Sequence, residues 1–128
     1  MGLEILTWLK SIKNTAQLAE VSNITTISHV GNVFTLDMEN ASSKNFKLIS
    51  ADANAKSIVL DNVDSQDSLI TISILIVYAT ACVITMPVGF TVNGGESLPT
   101  PADGQSYWYA LESIDGGTSG VIYSLRRT

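Results

Sequence analysis

The chain has a single cysteine, Cys82, so it can form no internal disulfide, and its fold needs neither an oxidising compartment nor a covalent staple. It also has a single histidine, His29, and one imidazole with no cysteine near it cannot assemble a zinc site. Basic residues are few, seven Lys and Arg against twelve Asp and Glu, for a net charge of −5. That balance argues against a phosphate-binding footprint and makes nucleic acid a poor partner. No Lys or Arg occurs between residues 57 and 125, where Asp61, Asp64, Asp67, Glu96, Asp103, Glu112 and Asp115 supply seven negative charges. Such acids either keep an apolar domain soluble or form a surface for a basic partner or a cation.

What is abundant is apolar residue: 45% of the 128 residues are hydrophobic and only 15% charged, which excludes a disordered chain and fits one domain with a sizeable core. The most apolar run, LITISILIVYATACVI over residues 69–84, is 16 residues long, short of the ~20 that cross a bilayer as a helix. It is built from Ile, Val and Thr and has acidic flanks with no Lys or Arg, so it reads as two buried strands with no membrane insertion. Within it Ile70, Ile72, Ile74 and Ile76 are expected to bury one face. The N-terminus carries Glu4 where a secretory leader would have bases.

Periodicity divides the chain into a helix and a β domain. Residues 1–21 read as one amphipathic helix, with Leu3, Leu6, Ala16 and Ala19 on one stripe and Ile5, Trp8, Ile12 and Thr15 on a second. So wide an apolar surface would pack on the following sheet or bundle with copies of itself. Leu6, Leu9 and Ile12 are the candidate oligomer contacts, in a trimer stem or virion anchor. Residues 22–128 read as a mainly β domain, an antiparallel, jelly-roll-like β-sandwich. Strands are expected over 23–30, 32–38, 46–50, 57–60, 69–77, 82–86, 89–92, 105–113 and 120–125, with turns at Gly31-Asn32 and Asp115-Gly116-Gly117. In strand 105–113, Tyr107, Tyr109, Leu111 and Ser113 fall on one face, and Ser106, Trp108, Ala110 and Glu112 on the other.

Catalytic chemistry is thinly represented. There is no G-x-S-x-G elbow, no Walker loop, and no basic neighbour to make a thiolate of Cys82. The expectation is no catalytic centre, no cofactor and no metal. In DNVDSQD, Asp61, Asp64 and Asp67 could gather oxygens around calcium, but the Gly and terminal Glu of an EF-hand are missing, and a solvated loop is the competing reading. Tyr107, Trp108 and Tyr109 could offer rings to a sugar or a protein, or could simply pack. The loops 93–104, with Glu96, Ser97, Pro99, Pro101 and Asp103, and 115–119 are the other candidate binding surface, because binding residues concentrate on loops held by a rigid scaffold.

The order of segments from Phe34 to Leu125 resembles the C-terminal β-domain of bacteriophage tail-fibre and receptor-binding proteins. A Val/Ile/Leu-rich strand (LITISILIV) is followed by a short strand ending in Pro (VITMP), a Gly-Gly and Pro loop (VNGGESLPTP), an aromatic strand (YWYALESI), and D-G-G-T leading to a last strand with Tyr (IDGGTSGVIYSL). Met86 stands where the family has an aromatic before the proline, and Phe90 where it often has Trp. The resemblance implies a non-enzymatic, homotrimeric structural protein of a virion, made in a bacterial cytoplasm, that meets other virion proteins and a host surface glycan or protein. A head fibre or capsid decoration protein is the alternative within that class. A free-standing carbohydrate-binding module is the alternative outside it.

Overall fold

The structure, a computed structural model, describes residues 24–63, 69–95, 98 and 100–127. The expected helix over residues 1–21, with Leu6, Leu9 and Ile12, lies outside the described residues. What is described is mainly β, in two sheets. The strands are β1 (Ile24–Ser28), β2 (Val33–Asp37), β3 (Ser43–Ser50), β4 (Lys56–Asp61), β5 (Ile70–Tyr78), β6 (Ile84–Thr85), β7 (Phe90–Val92), β8 (Gln105–Ser113) and β9 (Gly120–Arg127).

The chain alternates between the sheets. β1, β3 and β5 lie side by side in one, β2, β4 and β6 in the other, so that three successive rungs each give one strand to each sheet. A larger sheet of order β1-β3-β5-β8-β9-β7 therefore faces a smaller one of order β2-β4-β6. Five of the seven strand pairings are parallel, and only β5–β8 and β8–β9 are antiparallel, which corrects the expected antiparallel, jelly-roll-like pairing. The physical reason is the corner at residues 29–32. Gly31 adopts φ 60°, and Val30 and Val33 exchange backbone hydrogen bonds of 2.9 and 3.2 Å, as in a hairpin. Beyond that bridge the two strands part into different sheets instead of continuing a ladder. A strand of the opposite sheet then serves as the return path that parallel pairing requires.

Inner positions of both sheets meet in one core: Phe34, Leu36 and Met38; Phe46 and Leu48; Ile58; Ile70, Ile72, Ile74 and Ile76; Tyr107, Tyr109 and Leu111. The four alternate isoleucines are fully buried, as the strand period requires. Parallel register stacks like on like, with Phe46 beside Ile74, Leu48 beside Ile76 and Phe34 beside Ile58. At one end of the rungs Lys56 turns inward. Its Nζ donates to the carbonyls of Asp52 (3.1 Å) and Asn54 (2.7 Å) and to Asp52 Oδ1 (2.6 Å), using all three protons to close the corner between β3 and β4. That hydrogen bond to its carboxylate holds Asp52 below the usual carboxylate range.

Candidate binding surfaces

Parallel rungs gather the connections at two ends of the domain. At the end where β1, β3 and β5 finish lie residues 29–32, 51–55 and 79–83, and the run into β8 returns there. His29 bridges the first two corners: Nε2 accepts from Ala51 N (3.3 Å), so Nδ1 carries the proton and donates to the Gly31 carbonyl (2.8 Å). Ser50 Oγ donates to the Thr80 carbonyl (2.9 Å) and lies 3.0 Å from Cys82 Sγ, which is itself buried. Imidazole, hydroxyl and thiol are thus committed to holding corners together.

The loop preceding β8 is anchored to the same end. Asp103 Oδ1 accepts from Ala81 N (2.7 Å), Gly104 N donates to the Tyr78 carbonyl (2.6 Å), and Tyr107 Oη lies 2.7 Å from Gln105 Oε1 and 3.1 Å from the Thr100 carbonyl. Asp103 is exposed and Pro101 half-buried, while Leu98 packs against the core. Glu96, Ser97 and Pro99 lie outside the described residues. The following β8 corrects the aromatic platform. Tyr107 and Tyr109 point inward and are 4% and 1% exposed, and Tyr78 meets Tyr107 edge-on at 5.6 Å between ring centroids. Trp108 is half-buried on the opposite face, beside a register shift in the β8–β9 ladder. A nine-residue strand cannot present three consecutive side chains to one ligand, since alternate residues face opposite sides. Burial pushes the Tyr109 hydroxyl up to about 12, and Tyr78, which donates to it, higher still.

The other end carries the β8–β9 turn. Asp115 organises it: Oδ1 accepts from Ser113 Oγ (2.7 Å) and Ser119 N (2.9 Å), and Oδ2 from Ser119 Oγ (2.6 Å). The Ser119 hydroxyl is the main reason that the Asp115 carboxyl is held down to about 2. Here β7 joins the large sheet, parallel to β9, with Phe90 opposite Gly120. Both glycines at the junction are sterically demanded. A Cβ on Gly120 would stand 2.4 Å from the Glu112 carbonyl oxygen and from the Phe90 ring, and one on Gly89 would stand 2.2 Å from the Thr118 carbonyl oxygen.

Sequence reasoning missed the apolar tips at this end. Val88 is 94% exposed, Ile114 71% and Leu69 56%. The signal was available in P-V-G and I-D-G, where a large apolar residue sits beside a turn residue that denies it a strand to pack on. Of the acidic run, Asp61 is exposed next to Asp37 in the β2–β4 ladder, and Asp37 Oδ1 already accepts from Glu39 N (2.8 Å) and Asn62 Nδ2 (3.0 Å). Asp64 and Asp67 lie outside the described residues, and no group of three metal-ligating side chains occurs among the described ones. No helix among the described residues is long and apolar enough to cross a membrane. No protein-family model matches the chain, and neither the curated proteins nor the solved structures gave a match.

Proposed function

We propose that the chain is a non-enzymatic structural component of a bacteriophage virion, a homotrimeric fibre or receptor-binding type of protein that uses its loop ends to contact other virion proteins and a host surface glycan or protein. The observation that carries this reading is the meeting of two parts of the region over which the fibre resemblance extends. MPVGF leads into β7 and DGGTSG into β9, and Gly89 and Gly120 let these strands close side by side. At these two positions glycine has a packing reason, since a Cβ at either would meet backbone. The β-rich, two-sheet body supplies the rigid scaffold that such binding loops need.

The antiparallel, jelly-roll-like pairing expected from strand spacing is not the pairing found in the rungs, and the segments quoted for the resemblance fall on β5 to β9. Among these strands the binding candidates are a pair of loops: residues 93–104, tied to the scaffold through Asp103 and Tyr107, and residues 115–119, flanked by the exposed Ile114 and Val88. Three copies acting together would make weak single sites sufficient.

The test replaces residues 97–101 by a Gly/Ser linker in one variant and Ile114 and Val88 by Ser in another. Loss of adsorption to host cells in either variant, at unchanged oligomeric mass and melting temperature, is the expected result. Full adsorption by both would remove host contact from the reading.

A further inference from the structure

The outer face of the large sheet is covered at its centre. Strand alternation turns Ser73, Leu75, Trp108, Ala110 and Glu112 away from the core that takes Ile72, Ile74, Tyr109 and Leu111. Yet Ser73 is 1% exposed, Ala110 0% and Glu112 7%. The outer face of the small sheet behaves as an open face should, with Thr35, Asp37 and Thr85 exposed and Val59 at 42%. The ladder partners of Glu112 are Thr71 and Val121, both shorter than a glutamate, and of the outward residues diagonal to it Tyr123 stands near enough to feel its charge.

We propose that residues 1–21 of the same chain, as one amphipathic helix, lie across this outer face. Ile5, Trp8, Leu9, Ile12, Ala16 and Ala19 follow the i, i+3, i+4, i+7 spacing that puts them on one side of a helix. Leu75, Trp108, Val77 and Tyr123, all half-buried on the outer face, give that stripe an apolar surface. The reach is right. Twenty-one helical residues extend about 30 Å, and six strands span roughly 24 Å at ~4.8 Å per spacing. The point of attachment is right too. β1 is an edge strand of this sheet, and its first residue, Ile24, stands in the outward row that continues through Asn45, Ser73 and Ala110. With Leu9 and Ile12 on the sheet, copies of the chain associate through other surfaces. Nothing in this placement depends on the virion reading.

The test uses the full-length chain with a photo-cross-linking phenylalanine in place of Leu75 and, separately, of the exposed edge residue Thr26, made as a mixture of nitrogen-14 and nitrogen-15 protein. Cross-links from either position to peptides within residues 1–21 of the same isotope are expected. Mixed-isotope cross-links would assign the cover to a second copy, and cross-links that miss residues 1–21 would assign it elsewhere in the chain; either overturns the proposal. A second readout needs no unnatural residue. In a Trp8→Phe chain, Ile12→Asp is expected to shift Trp108 emission to the red and raise its quenching by acrylamide, and an unchanged spectrum would contradict the contact.

Discussion

Gly89 and Thr118 stand so close that no side chain fits between them, because a Cβ on Gly89 would lie 2.2 Å from the Thr118 carbonyl oxygen. Gly89 also has φ 89°, which L side chains rarely adopt. Gly31 has φ 60° with nothing within 4 Å of an added Cβ. Gly31→Ala is therefore expected to cost only the left-handed backbone term, ~1–2 kcal/mol. Gly89→Ala adds overpacking of another ~1–3 kcal/mol. Chemical denaturation of the two variants checks the order, and equal losses would show that β7 is free to move away from β9.

The core gives a second contrast. Ile74 is fully buried between the sheets and Val59 is 42% exposed on the outer face of the small sheet. Ile74→Ala is expected to cost ~2–5 kcal/mol, as large-to-small changes in a packed core do. Val59→Ala should cost well under half of that. A comparable loss at both sites would mean that the outer face of the small sheet is covered too.

Lys56 provides a third. Its ammonium is the charged donor for the carbonyls of Asp52 and Asn54 at a corner closed from within. Lys56→Met keeps the stem and removes the donors, and the loss expected from hydrogen bonds to a charged group is about 1.5–3 kcal/mol. Thermal melting of Lys56→Met and Lys56→Arg separates the roles of charge and shape. A melting temperature unchanged in Lys56→Met would show that water satisfies the corner equally well.

Acid should loosen the β8–β9 turn. The folded carboxyl of Asp115 is held down to about 2, below its value in an unfolded chain, so its contribution is fully present above the unfolded pKa of roughly 4. That contribution is lost as pH falls from there towards 2. Asp115→Asn should therefore flatten part of the stability decline over this window. Hydrogen exchange at Gly117 and Ser119 between pH 5 and pH 2.5 reports it locally. A decline identical in Asp115→Asn and the parent chain would place the acid sensitivity in other carboxylates.

Much of the local structure is legible in the sequence. The isoleucine alternation over Ile70 to Ile76, the face shared by Tyr107 and Tyr109, and the turn at Asp115-Gly116-Gly117 all follow from period and turn chemistry. Strand direction does not follow, because alternation in parallel and antiparallel strands is the same. Gly31-Asn32 reads as a hairpin turn and forms one, but whether the strands beyond it stay paired depends on Phe34 and Leu36 reaching the opposite sheet. The rungs carry no period in sequence, since the strands and corners differ in length from one rung to the next. At the candidate site, the tyrosines of β8 were legible as a face, but which face met the core was settled only by Tyr78, Ile74 and Ile76 across the ladder.

The central claim, that this chain is a trimeric component of a virion, is met most directly by counting it on particles. Phage particles from cells that express the chain, banded on a density gradient and quantified by mass spectrometry against a major capsid protein, should carry it in a fixed ratio that is a multiple of three. Recovery of the chain only in the soluble fraction, with none on the banded particles, would contradict the claim.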